Sequence, residues 1–183
     1  SNYNRKNCKT LIIRITRCRI CDNTELIPVV DLGVQYLTGI FPKNDDAGTL
    51  TKGPLRLVKC YGGKECCGLL QLEHNYDLNE LYSMNYGYRS GLNASMVRHL
   101  YSKVAEIIDR SELKKGDLVI DIGSNDGTTL AAYPKHLQLV GIDPTGKKFK
   151  SYYAKHIDLI TEFFSSDLIS RSFPGKKAKV VTS

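Results

Sequence analysis

Two groups of residues have the types and spacing that chemistry needs. The first is L-V-I-D-I-G-S-N-D-G at residues 118–127, where apolar residues surround Asp121 and two glycines, Gly123 and Gly127, stand four positions apart. An apolar run that breaks at glycine reads as a buried parallel strand passing through a tight loop into a helix. Loops of this kind bind nucleotides through their backbone. A second short apolar run, residues 139–142, ends in Asp143, twenty residues past Gly123, and an acid at the tip of the second strand is where a ribose finds a hydroxyl acceptor. The dinucleotide fingerprint G-x-G-x-x-G seats a pyrophosphate with three glycines. Here the spacing is Gly123-x-x-x-Gly127 with Asn125 between them, so the pyrophosphate cradle is incomplete. A ligand with a ribose and no phosphate fits better, and S-adenosylmethionine is the common one. The candidate cofactor residues are Asp121, Gly123, Ser124, Asn125, Gly127 and Asp143. The plain alternative is a structural βαβ turn without a ligand, and the joint occurrence of strand acid, glycine pair and second acid stands against it.

The second group is cysteine. Cys18-Arg-Ile-Cys21 is a C-x-x-C turn that lets two thiolates meet one tetrahedral ion. Its other half is Cys60-Tyr-Gly-Gly-Lys-Glu-Cys66-Cys67-Gly68, flanked by apolar runs at 55–59 and 69–72. Strand, glycine-rich knuckle and strand make the hairpin of a zinc ribbon, although this second knuckle is longer than usual. The expected zinc ligands are Cys18, Cys21, Cys60 and Cys67, because Gly68 stands just after Cys67 where the turn closes. Cys66 is the alternative fourth ligand, and either choice leaves Cys8 and one neighbour free. Four thiolates fill the shell and leave no place for a reacting water, so the site is read as structural. The competing reading is a set of reduced cysteines without metal.

Elements must position these groups. Before the first knuckle, residues 11–15 read as a short strand. Between the knuckles, residues 27–32 read as a strand, 34–42 as an irregular apolar stretch, and the Asp, Asn, Gly and Thr of 44–53 as an inserted loop. A helical turn at 77–81 precedes a tyrosine-rich segment. Tyr86, Tyr88 and Arg89 there offer flat faces, phenol hydroxyls and a guanidinium, which suit a sugar ring and a phosphate. Packing is the bland explanation for those tyrosines. Apolar residues at helical spacing over 92–109 predict an amphipathic helix, with His99 a surface or packing residue. Helices at 128–133, 147–155 and 164–171 then alternate with strands at 157–160 and 178–182. That alternation predicts a parallel sheet in the order 3-2-1-4. The fold class is therefore α/β, an incomplete Rossmann-like sheet of about four parallel strands behind a small zinc-ribbon-like β domain and a long linking helix. The expected divisions are residues 1–75 for zinc, 76–116 for the tyrosine segment and linking helix, and 117–183 for the cofactor half-domain.

Bulk properties narrow the class. The chain has 183 residues, 42% hydrophobic and 25% charged, with no apolar run long enough to span a bilayer and no secretory leader pattern. A cytoplasmic, membrane-free protein is expected. The net charge of +7 would suit nucleic acid. It gathers at the two ends, in Arg5, Lys6, Lys9, Arg14 and Arg17 and in Arg171, Lys176, Lys177 and Lys179, which reads as solvated surface rather than a binding stripe.

Taken in order, C-R-I-C, C-G-L-L-Q-L, the Y-R-S-G-L-N before a long helix, and V-I-D-I-G-S-N-D-G resemble the S-adenosylmethionine-dependent C-methyltransferases of nucleotide-linked deoxysugars. The resemblance runs from about Cys18 to the end. It implies that Gly123, Asn125 and Gly127 contact the methyl donor, that Asp143 binds its ribose, that the four cysteines hold zinc, and that Tyr86 or Tyr88 faces a nucleotide-sugar substrate. The longer spacing after Cys60 departs from the simplest family pattern. A full sheet of this family has more strands than these four, so the chain is expected to be truncated. The family's general base resembles a histidine following a glutamate late in the catalytic domain, and that part of this chain holds no such pair. Binding of cofactor and zinc without turnover is the expectation, along with self-association through the exposed sheet edge. A second reading from another class is a zinc-ribbon RNA base methyltransferase, with the ribbon and basic arm on RNA.

Overall fold

The computed structural model describes residues 12–36, 51–82 and 86–183. Cys8, most of the apolar stretch at 34–42 and most of the loop at 44–53 lie outside them. The chain divides into two compact units, Ser1–Gly87 and Tyr88–Ser183.

In the first unit β1 (Ile13–Arg14) pairs antiparallel with β5 (His74–Asn75). Strands β2 (Leu26–Tyr36), β3 (Lys52–Cys60) and β4 (Leu70–Leu72) form an antiparallel sheet in that order. β2 extends past the expected residue 32 to Tyr36, with register shifts between Pro28 and Val30 and between Asp31 and Val34. Both shifts have local causes. Pro28 brings no N–H to the ladder. Gly33 takes φ +67°, and its N–H donates to Asp31 Oδ1 at 2.9 Å, the Asx turn that lets the strand bulge and continue. The strand expected over 27–32 therefore runs on through the turn into the first residues of the stretch expected to be irregular. A short helix α1 (Leu78–Leu81) follows β5. Among the described residues of this unit the buried apolar side chains are Val58, Cys18 and Cys60, so sulfur makes most of its core.

The second unit begins with a 3-10 turn, Ser90–Leu92, and helix α2 (Ala94–Arg110), capped by Asn93 Oδ1 accepting from Ser95 N–H. Four parallel strands follow: β6 (Leu118–Ile122), β7 (Gln138–Ile142), β8 (Ile157–Ile160) and β9 (Val180–Thr182). Their spatial order is β8-β7-β6-β9, the expected 3-2-1-4. Helices α3 (Thr128–Ala131), α4 (Gly146–Phe149) and α5 (Ser166–Ser172) lie in the connections. Val104 of α2 packs with Val119, Leu130 and Leu139 into one buried cluster, and Leu168 of α5 packs with Leu118, Ile120 and Val140 into another. The helix expected over 147–155 is broken: α4 ends at Phe149, a 3-10 turn covers Lys150–Tyr152, and Tyr153 is extended. The competing demand is tertiary, because the Tyr153 side chain is used by the glycine loop.

Candidate functional site

In the first unit the two knuckles bring four sulfurs together. The Sγ atoms of Cys18, Cys21, Cys60 and Cys67 all lie within 4.8 Å of one another, with Cys18 to Cys67 and Cys21 to Cys60 each at 3.5 Å. Four thiolates about 2.3 Å from a central zinc ion stand about 3.8 Å apart, so the donor set has the right size and chemistry for that ion. Cys66 lies outside the group. The knuckles are shaped by backbone of left-handed sign: Asp22 has φ +56° and Gly62 has φ +82°, where a Cβ would run into the Glu25 carboxylate.

Amides stand behind the sulfurs. Asn23 Nδ2 donates to Cys60 Sγ and Gln71 Nε2 to Cys18 Sγ, both at 3.3 Å, which offsets thiolate charge and orients the ligands. As bare thiols Cys18, Cys60 and Cys67 are unequal. Backbone N–H groups of Cys21 and Ile20 bring the Cys18 thiol down to about 6, and the Asn23 amide lowers Cys60. At Cys67 the Leu69 N–H pulls downward, but burial and the three neighbouring sulfurs outweigh it and carry the thiol up to about 12. A divalent cation removes that conflict, since each sulfur binds it as thiolate. Gln71 also reaches outward, its Oε1 accepting from Arg19 Nη1 at 3.1 Å.

In the second unit the glycine loop leaves β6 at Gly123, φ +71°, passes Asn125, φ +51°, and enters α3 from Gly127, φ +76°. Space is open where a Cβ of Gly123 would stand, as close backbone approach by a ligand requires. Asp143 at the tip of β7 holds this loop directly. Its Oδ2 accepts from Asn125 N–H at 2.8 Å, and its Oδ1 accepts from the N–H and hydroxyl of Thr145 at 2.6 Å each. The carboxylate is 6% exposed, so a ribose diol bound there would share an acceptor already in use. Asp121, also buried, accepts from the Thr182 hydroxyl at 2.6 Å, and burial raises its carboxyl, with Asp143 adding to the shift.

Four contributors escaped the sequence reading. Tyr153 Oη donates to Asn125 O at 2.9 Å and lies 2.8 Å from Ser124 Oγ. Its ring fills the space where Cβ atoms on Gly127 and Gly141 would stand, 2.9 and 3.0 Å away, and Ser124 Oγ comes within 2.5 Å of the Gly141 position. Asp126 is the second: its Oδ1 accepts from Thr128 N–H and hydroxyl, and its Oδ2 from Gly91 N–H at 2.9 Å. The N-D-G turn was the available signal, since Asp accepts from the backbone two residues on. Thr145 and Thr182 are the others, and nothing local marks them.

The Y-R-S-G segment is fastened to this loop. Asn125 Oδ1 accepts from Ser90 N–H at 2.9 Å and its Nδ2 donates to Tyr88 O at 3.1 Å. Arg89 Nη1 pairs with Asp126 Oδ2 at 3.3 Å. Tyr88 keeps an exposed ring, while Tyr86 belongs to the first unit, its ring centroid 5.8 Å from that of Tyr82.

A zinc-type cysteine cluster and a Rossmann-like glycine loop thus stand in one chain, one in each unit. Residues 18–82 match a methyltransferase-associated family described as "Putative zinc binding domain". The chain is also similar to C-methyltransferase NovU of Streptomyces niveus, with 33% identity over 132 residues. That alignment covers 71% of this chain and 30% of the relative's length. The chain is therefore related to the C-methyltransferases, in agreement with its motifs, and its N-terminal β region carries a zinc-binding domain. No helix among the described residues is long and apolar enough to cross a membrane.

Proposed function

We propose that this chain serves S-adenosylmethionine-dependent C-methylation of a nucleotide-linked keto-deoxysugar in the cytoplasm. The observation that carries the proposal is the open backbone of Gly123 at the end of the first strand, where nothing stands within 4 Å of a Cβ position and a nucleoside ligand can approach closely. Cys18, Cys21, Cys60 and Cys67 hold a structural zinc. Gly123 presents its open backbone to the donor, Ser124, Asn125 and Gly127 shape the loop around it, and Asp121 and Asp143 set the charge beneath. When bound, the donor supplies a methyl group on a sulfonium centre, the electrophile for a carbanion formed beside a ketone. Tyr86 or Tyr88, the latter 45% exposed, is the aromatic face offered to the acceptor. The reading includes self-association through the edge strand β9, where Val181 is 55% exposed, and concentration-dependent light scattering tests that part.

Calorimetric titration of the zinc-loaded chain with S-adenosylhomocysteine and, separately, with NAD tests the cofactor. Selective binding of S-adenosylhomocysteine is expected. Selective binding of NAD would replace the methyl-donor reading with a dinucleotide one.

A further inference from the structure

Arg89 opens onto a cavity of about 260 Å³ beside the glycine loop, walled by Val97 and Tyr101 of α2, Thr128 and Ala131 of α3, and Tyr152. The guanidinium is held in two ways. Its Nη1 lies 3.3 Å from Asp126 Oδ2, and its central carbon stands 4.0 Å over the Tyr152 ring centroid. Asp126 is itself fixed by Gly91 and Thr128, so the arginine is anchored on a rigid carboxylate whose side chain is 2% exposed. Among the described residues no protein acceptor takes Arg89 Nε or Nη2, and the side chain is 20% exposed.

An arginine immobilised in this way presents a planar fork of donors, which matches a carboxylate. The paired Arg89 and Asp126 sum to no net charge. A pyrophosphate would gain little from such a pair, because the buried carboxylate repels what the arginine attracts. A zwitterion fits both members, carboxylate toward the cation and ammonium toward the anion. The apolar walls formed by Val97 and Ala131 leave room for a short aliphatic arm.

We propose that Arg89 clamps the α-carboxylate of the methyl donor's amino-acid arm, which extends into this cavity. The assignment rests on the donor reading above, and it moves Arg89 from the acceptor to the donor. The test compares S-adenosylhomocysteine with 5′-methylthioadenosine, which has the same nucleoside and no amino-acid arm. The unaltered zinc-loaded chain binds the former more tightly. Arg89→Gln weakens S-adenosylhomocysteine by roughly 10- to 100-fold, the size of a lost charge-assisted contact, and leaves 5′-methylthioadenosine unchanged. Arg89→Lys, which keeps the charge and loses the fork, falls between. Equal affinity of the unaltered chain for both ligands would overturn the clamp alone. So would an Arg89→Gln variant that weakens both alike, as general damage to the loop would, or weakens neither. Failure of the unaltered chain to bind either ligand would instead overturn the donor reading, and the clamp with it.

Discussion

Cys66 and Cys67 are neighbours in sequence, yet one sulfur joins the cluster and the other does not. Gly68, at φ +72°, turns the chain just past Cys67, and that is the local reason Cys67 faces the other three. Spacing alone left the choice open, because a knuckle with five residues between Cys60 and Cys66 can close on either thiol. The two serine variants separate them. Cys67→Ser is expected to lose stoichiometric zinc, and its cobalt-loaded form the absorption of a four-sulfur tetrahedral site, while Cys66→Ser keeps both. Retention of the metal by Cys67→Ser would reverse the assignment.

Elements were legible where a period was present. Strand and helix alternate after residue 117 with enough regularity to give the sheet order, and the stripe on α2 was plain from Val97, Val104 and Ile108. What could not be read was any element shaped by a distant partner. The interruption after α4 follows from Tyr153 serving a loop 28 residues earlier, and the length of β2 follows from an Asx turn within it. The acid in β6 shows a related coupling, since Asp121 is held by Thr182 of β9. Its carboxyl is raised from the ordinary value, chiefly by burial. A raised carboxyl favours the protonated folded state, so this residue costs stability as pH climbs from the unfolded value through the folded one. Asp121→Asn keeps an acceptor for the Thr182 hydroxyl and removes that cost. Its melting temperature is expected to rise relative to the parent as pH increases from 4 toward 7, with little difference below the ordinary carboxylate range. A gap that narrows with rising pH would contradict the sign.

At the scale of the whole molecule the two units depend on different sources of stability. The second buries two aliphatic clusters on its parallel sheet, whereas the described apolar core of the first is Val58 with Cys18 and Cys60. A core that small leaves folding to the metal, which in small zinc domains contributes most of the folding free energy. Chelation is therefore expected to abolish hydrogen-exchange protection in β3 and β4 while the amides of β6 and β7 stay protected. Uniform loss in both units would show that they fold as one. The contact among Ser124, Gly141 and Tyr153 has a different consequence, which concerns how such a chain can change over generations. Three residues from a loop, a strand and a turn share one small volume, so none of the three can drift alone. A side chain larger than hydrogen at 141 becomes tolerable only in a background where 124 or 153 has already shrunk, and the order of substitutions is thereby constrained as strictly as their identity.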